Sequence, residues 1–296
     1  MTQMKLAWQS KLVLLAVLPV VGVDLFFQVY AWASQSPPVA VWTLTLSSLL
    51  GLITWKVRAA TPAAAAAGTV IAANFMFSTT SFPYEPWRTA LIPLLAVSVL
   101  AFAATLAGRG HKQRLGTAEG TRGRSESQIA ANLGVGALVS TQFAQSLISE
   151  SRWFVHASLP PTLLFTVGLA ALAEAAADTV SSEMGQVLGG RPRMITTLRA
   201  VEPGRDGAMS PVGTLAGIAA AAVVAGAGTW ALRGQLTMFA VSCASAVFGF
   251  LFDSLLGATF EERGWLNNDG VNFLSTAAAA ACALVLLAVL PHPIAA

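Results

Sequence analysis

Acids inside apolar runs are uncommon, and this chain has four: Asp24, Glu174, Asp178 and Asp253. At the centre of a span each costs about 2.5–3.5 kcal/mol on insertion scales, so each calls for a partner or a task. Asp178 and Asp253 stand near the ends of two runs, in "EAAADTVSSEMG" (174–185) and "FDSLLGAT" (252–259). A continuous helix through the first stretch puts Glu174, Asp178, Ser181 and Ser182 on one face. Glu183 lies about 100° round from Ser182 and joins that face only if the helix turns or breaks. Oxygen ligands of this kind suit Mg²⁺, which takes one or two carboxylates and completes its shell with waters and phosphate oxygens. A helix merely leaving the membrane would explain any one of these acids. It does not explain the set.

The stretch "VEPGRDGAMSPVGTLAG" (201–217) is the second concentration of chemistry. Ser210 followed by Pro211 reads as an N-cap and first helical residue. Gly204 and Gly207 make the preceding loop able to wrap its amides around a ligand. A helix start gathers free N–H groups and the positive end of the macrodipole, so it favours anions. Arg191, Arg193, Arg199 and Arg205 add guanidinium groups, which pair with phosphate in a two-pronged geometry. An ordinary turn whose arginines set topology accounts for the bases, but not for glycine, Ser-Pro and acids together. Gly213 and Gly217 form a G-x-x-x-G pair suited to close helix packing.

These residues need elements to hold them, and the composition says where those lie. The chain is 55% hydrophobic and only 10% charged, against about 25% charged in soluble domains. It is short of groups to cover a water-facing surface, so a membrane is the expected home. Apolar runs of about 20 residues match the hydrocarbon core as helices. Nine are expected, at roughly 12–33, 38–54, 61–79, 89–107, 127–148, 159–178, 211–231, 236–259 and 271–290. The fold class is therefore all-α, a polytopic transmembrane bundle. The first run ends in "YAWAS", which looks like a cleavage site, but it is long enough to cross and is read as an uncleaved span. With the N-terminus in the cytoplasm and strict alternation, only Arg88, Arg152 and Arg233 fall outside. The other 14 of the 17 basic residues, Lys5 and Arg122 among them, fall inside, as the positive-inside rule requires. Both carboxylates then approach the cytoplasmic face. Gln128 and Asn132 open the fifth span from that face, and Asn268, Asp269 and Asn272 open the ninth.

Other chemistries find little support. Cys243 and Cys282 lie in apolar runs without metal-ligand spacing. His111, His156 and His292 are scattered, so no zinc site is expected. There is no G-x-x-x-x-G-K-[ST], and "LGVGALVS" follows no strand and is not a dinucleotide fingerprint. The D-G-x-x-A-R pattern of CDP-alcohol phosphotransferases is missing. No nucleic-acid partner is expected.

"RAATPAAAAAG", "RSESQIAAN", "ADTVSSEMG", "TTLRAVEPGRDGAMSPVGTLAG", "FDSLLGAT" and "WLNNDGVNFLST", in that order, resemble the integral membrane family once named domain of unknown function 92. That family includes transmembrane protein 19 of animals and the phytyl-phosphate kinase of plants. The likeness covers roughly residues 58–290, so residues 1–57 form N-terminal spans outside it and 58–296 a catalytic membrane domain. Two positions depart from the family loop: Arg205 stands for its usual Thr and Ala208 for its second Gly. The resemblance implies transfer of a phosphoryl group from a nucleoside triphosphate, CTP or ATP, to an isoprenyl monophosphate. On that footing Asp178, Glu183 and Asp253 are assigned to Mg²⁺, and Arg199, Arg205 and the loop amides of Gly204, Gly207 and Ser210 to phosphates. Ser181 and Ser182 go to metal or phosphate, and Gln128, Asn132, Asn268, Asp269 and Asn272 complete the polar rim. The rival reading is a transporter or flippase of a phosphorylated lipid or other anion, which would place its site near the midplane. Asp24 fits neither.

Overall fold

The computed structural model describes residues 7–116, 123–151 and 161–290. Lys5, Arg122, Arg152, His156 and His292 lie outside the described residues. Among the described residues the regular structure is helical apart from one pair of two-residue strands, Arg193–Met194 and Ala208–Met209. In order the helices are α1 (Ala7–Gln35), α2 (Pro37–Lys56), α3 (Pro62–Ser78), α4 (Leu91–Leu106), α5 (Arg109–Leu115), α6 (Glu126–Val139), α7 (Gln142–Glu150), α8 (Pro161–Leu188), α9 (Pro211–Ala231), α10 (Leu236–Leu256) and α11 (Asn268–Val289). Among the described residues, six helices are long and apolar enough to cross a membrane. These are α1, α2, α8, α9, α10 with the turn after it, and α11. Helices α3 and α4 are apolar but shorter.

The expected fifth span, 127–148, is not one helix. It breaks at Ser140 and Thr141 into α6 and α7. At 1.5 Å per residue, α6 is roughly 21 Å long, short of the ~30 Å core. The break has a strut. Asp24 of α1 accepts the Gln142 N–H at 3.0 Å and the Asn74 side-chain amide at 2.7 Å, with the Gln28 amide on the same carboxylate. The mid-span acid thus takes the first N–H of α7, next to the Thr141 cap that accepts from Ala144 N. Hydrogen bonds to a charged group contribute about 1.5–3 kcal/mol. Asp24→Ala should therefore lower the thermal midpoint of the detergent-solubilised protein by several degrees, while Asp24→Asn recovers part of it. An unchanged midpoint in Asp24→Ala would remove the strut.

Helix α8 is the axis of the bundle. From Leu164 to Ala177 it is buried on every side, as a helix apolar all round must be. Its run of alanines lets neighbours approach closely. The G-x-x-x-G pair of α9 uses this: a Cβ on Gly213 would lie 2.7 Å from Ser181 O, and one on Gly217 2.8 Å from Ala177 O. Large apolar side chains such as Leu15, Phe26, Val99, Leu215 and Val285 point outward from the bundle.

The two ends of the bundle differ. At one end Arg88 donates to Trp230 O and Arg233 pairs with Glu85. At the other, α3, α6, α9 and α11 begin, each with a side-chain cap: Thr61, Ser125, Ser210 and Asn267. The Ser210 cap and Pro211 at the first helical position are as the sequence led us to expect. Helices α8 and α10 finish at this same end, beside the arginine-bearing loops.

Candidate functional site

Asp178 and Asp253 come together. One rides near the end of α8 and the other near the end of α10, and their carboxyls are within hydrogen-bonding reach of each other. Gly249, one turn before Asp253, makes this possible, because a Cβ there would meet Glu174 Cγ and Ser275 O at 2.8 Å. Glu174 therefore sits fully buried beneath the pair, facing Ser275 of α11. Asp253 Oδ2 and Glu174 Oε1 are buried with no hydrogen-bond partner among the described residues. Such atoms are costly unless something satisfies them.

Above this pair lies a polar chamber of about 140 Å³, walled by Asp178, Ser181 and Ser182 from α8 and by Asp253, Ser254 and Glu261 from α10 and its extension. Its roof is the 203–210 loop. Arg193 and Met194 pair with Met209 and Ala208 to clip that loop into a hairpin. Gly204 and Gly207 turn at φ +84° and +73°, a region other residues enter at a cost. Gly207 also has no room for a side chain, since its Cβ would overlap the backbone of Ala258. The loop thus lies directly on the end of α10.

A larger cavity of about 930 Å³ shares Arg205, Asp206, Glu261 and Asn268 with the chamber and extends over Ser125, Gln128 and Asp269. Asp269 accepts from Ser10 Oγ at 2.6 Å, and Gln9 bonds both Trp265 O and the Asn267 N–H. The N-terminal helix therefore helps to wall the site. Arg205 is clipped to Glu262, whose hydrogen bond and charge push its pKa up. Burial, then the charge of Glu262, raises the Asp206 carboxyl above its ordinary value. The rim thus carries crowded negative charge that a cation or a donor-rich ligand would relieve.

Several expected site residues stand elsewhere. Glu183 does not join Asp178, because α8 runs unbroken to Leu188 and keeps Glu183 on a different face. There it forms an ion pair with buried Lys112 of α5 and accepts from Thr105 Oγ1 at 3.2 Å. Among the described residues no three His, Cys, Asp or Glu form a group able to hold a metal, so the triad with Glu183 is withdrawn. Removing one partner of a buried pair costs about 3–5 kcal/mol. Lys112→Met should sharply lower the thermal midpoint, and Lys112→Met with Glu183→Gln should restore most of it; a neutral single variant would contradict this pairing. Arg199 projects from the exposed side of the hairpin and lines neither cavity. Gln128 closes the capping box with Ser125. Asn132 and Asn272 face each other at 3.4 Å and join α6 to α11.

Glu261 and Arg124 were missed. Glu261 stands at i+8 from Asp253, with Gly257 between them at i+4, so helical spacing could have found it. It enters on a π-turn over Gly257–Glu261, a deformation frequent at functional sites. Arg124 Nη2 lies 3.4 Å from Thr179 Oγ1, and its charge reaches Asp178.

The family of integral membrane proteins DUF92 matches residues 45–280. The chain belongs to the DUF92 family. It is a multi-pass membrane protein like the rest of that family, and α1 lies outside the matched residues. An uncharacterized membrane protein of Methanocaldococcus jannaschii is 42% identical over 36% of this chain and 45% of its own length. Protein VTE6, chloroplastic, of Arabidopsis thaliana is 29% identical over 73% of this chain and 63% of its own. An uncharacterized membrane protein of Synechocystis is 32% identical over 67% and 73%. The chain thus spans less than two thirds of the first two relatives. No solved structure matches.

Proposed function

We propose that this DUF92 member is an integral membrane kinase that transfers a phosphoryl group from a nucleoside triphosphate to an isoprenyl monophosphate. The observation that carries this reading is the meeting of Asp178 and Asp253 beneath a glycine loop that ends in a capped helix start. Family membership supports it, through the resemblance to phytyl-phosphate kinase. Phosphoryl transfer depends on positioning and charge stabilisation more than on covalent help from the protein. An oxygen of the lipid monophosphate attacks the terminal phosphorus of the triphosphate. A new P–O bond forms, the bond to the bridging oxygen breaks, and a nucleoside diphosphate leaves with a lipid diphosphate as product. The monophosphate is already a nucleophile near neutral pH, so no dedicated base is needed.

Mg²⁺ fits the donor set, since Asp178, Asp253 and the hydroxyls of Ser181 and Ser182 are hard oxygens and Asp253 Oδ2 lacks a partner. When bound, it would neutralise charge developing on the transferred group. The 203–210 loop holds the phosphates with its amides, and Arg205 steers them at the shared wall of the two cavities. We assign the basic end of the bundle to the cytoplasm, where the nucleotide is. A carrier would need a mid-depth site, but Asp24 is committed to α7 and the chamber lies at the end of the bundle where α9 starts.

The test is purified protein in nanodiscs with phytyl monophosphate, terminally labelled CTP or ATP, and Mg²⁺. Label should appear in the extractable lipid as diphosphate. If the lipid instead crosses a liposome bilayer unchanged, the protein is a carrier.

A further inference from the structure

The chamber is small and carries four carboxyls and the hydroxyls of Ser181, Ser182 and Ser210 near its walls, which suits an isoprenyl chain poorly. A second cleft of about 310 Å³ stands on another side of α8, between α2, α3, α4 and α6. That is near the lower end of ligand pockets, about 300–1,000 Å³. Its walls are mostly apolar, with Leu50, Ala64, Leu94, Val97, Phe102 and Leu133 among them. One part differs: Arg58, Arg109 and Arg124 also line the cleft.

The fold builds this charged end. Thr61 N–H donates to Arg124 O and Arg124 N–H donates to Ala59 O, both at 2.9 Å. Gly123, at φ +77°, lets the strands of this clip touch, since a Cβ there would lie 2.6 Å from Arg58 O. Helices α3 and α6 both start at the clip, so two positive helix ends flank the arginines. The cleft also borders the chamber. Ala175 lines it one turn before Asp178 on α8, and Arg124 reaches Thr179 and Asp178.

We infer that this cleft holds the first isoprene units of a long-chain monophosphate, with its head among Arg58, Arg109 and Arg124. The phosphate then faces Asp178 across the edge of α8, and the rest of the tail runs into the bilayer. The inference rests on the kinase reading for its choice of lipid, but binding here requires no transfer.

Gly68 provides the test. It lines the cleft, and the nearest atom of a neighbouring element to a Cβ there is Ile129 Cγ2 at 4.0 Å, so a substitution starts from open space. Binding of geranylgeranyl monophosphate to the full chain in nanodiscs is measured without nucleotide, with dimethylallyl monophosphate as the short probe. Gly68→Phe should weaken the long lipid at least about tenfold, the loss of roughly two buried methylenes. It should leave the short one and the nucleotide unchanged. Ala101→Phe, from the facing wall of α4, should do the same if Gly68→Phe does not fold. Arg58→Gln should weaken both monophosphates and leave geranylgeraniol alone. Unchanged long-chain affinity in a folded cleft-filling variant overturns the inference, as does equal competition by dioleoyl phosphatidate. If binding follows this pattern and no diphosphate ever forms, the kinase reading falls and the cleft stands.

Discussion

Asp178→Asn and Asp253→Asn should each slow phosphoryl transfer by about 10²–10³-fold, the range seen when a preorganised charge-stabilising group is removed. The loss should fall on kcat, with KM for the lipid monophosphate within a few-fold, because the cleft that would hold the lipid is untouched. Stability should move the other way. Asp178 and Asp253 meet, Glu174 lies close enough for its charge to act on both, and Asp253 Oδ2 and Glu174 Oε1 lack partners among the described residues. An amide at position 178 or 253 removes like-charge repulsion and supplies a donor, so the thermal midpoint should hold or rise. A gain in stability with a collapse in rate is a pattern expected of a functional cluster, since functional sites retain local conflicts that packing alone would remove. Wild-type turnover in either variant would take these carboxylates out of the chemistry.

Gly207→Val should have a comparable effect for a geometric reason. The position is at φ +73°, where a β-branched residue is strained by about 1–3 kcal/mol. Its side chain would also overlap Ala258 on the end of α10, so the loop must lift. Gly207 O accepts the Ile195 N–H at 3.1 Å, and that bond would go with it. A displacement of about 1 Å at a positioning element can cost 10²-fold in rate. Gly190→Ala is the control: its φ is +64°, but nothing lies within 4 Å of its Cβ. It should carry strain without collision and keep most of its activity. Equal losses in the two variants would mean that strain, not the seating of the loop on α10, sets the effect.

What the sequence made legible was local or periodic. Ser210 and Pro211 mark a helix start by their own chemistry, and the structure has that cap. Gly213 and Gly217 announce a close crossing, and α9 lies on Ser181 and Ala177 of α8. Asp178 and Asp253 stood out because acids in apolar runs demand a partner, and each is beside the other. What stayed hidden depended on partners distant in sequence. Thr141 caps α7 through Ala144 N, a local sign of the break in the fifth run, but the second acceptor there, Asp24, is far away in the chain and could not be read from it. Glu183 shares its neighbours' polarity but not their face, and Lys112 claims it from another helix. Gln9 and Ser10 look like the polar start of a span, yet they brace Asn267 and Asp269 at the opposite end of the chain.

The most direct check is a cryo-electron-microscopy map of the protein in nanodiscs with Mg²⁺ and a non-hydrolysable nucleoside triphosphate. Its phosphates should lie between the carboxyls of Asp178 and Asp253 and the 203–210 loop, with the terminal phosphorus turned toward Arg124. Phosphates seated elsewhere in the bundle, or a chamber still empty at saturating nucleotide, would contradict the account.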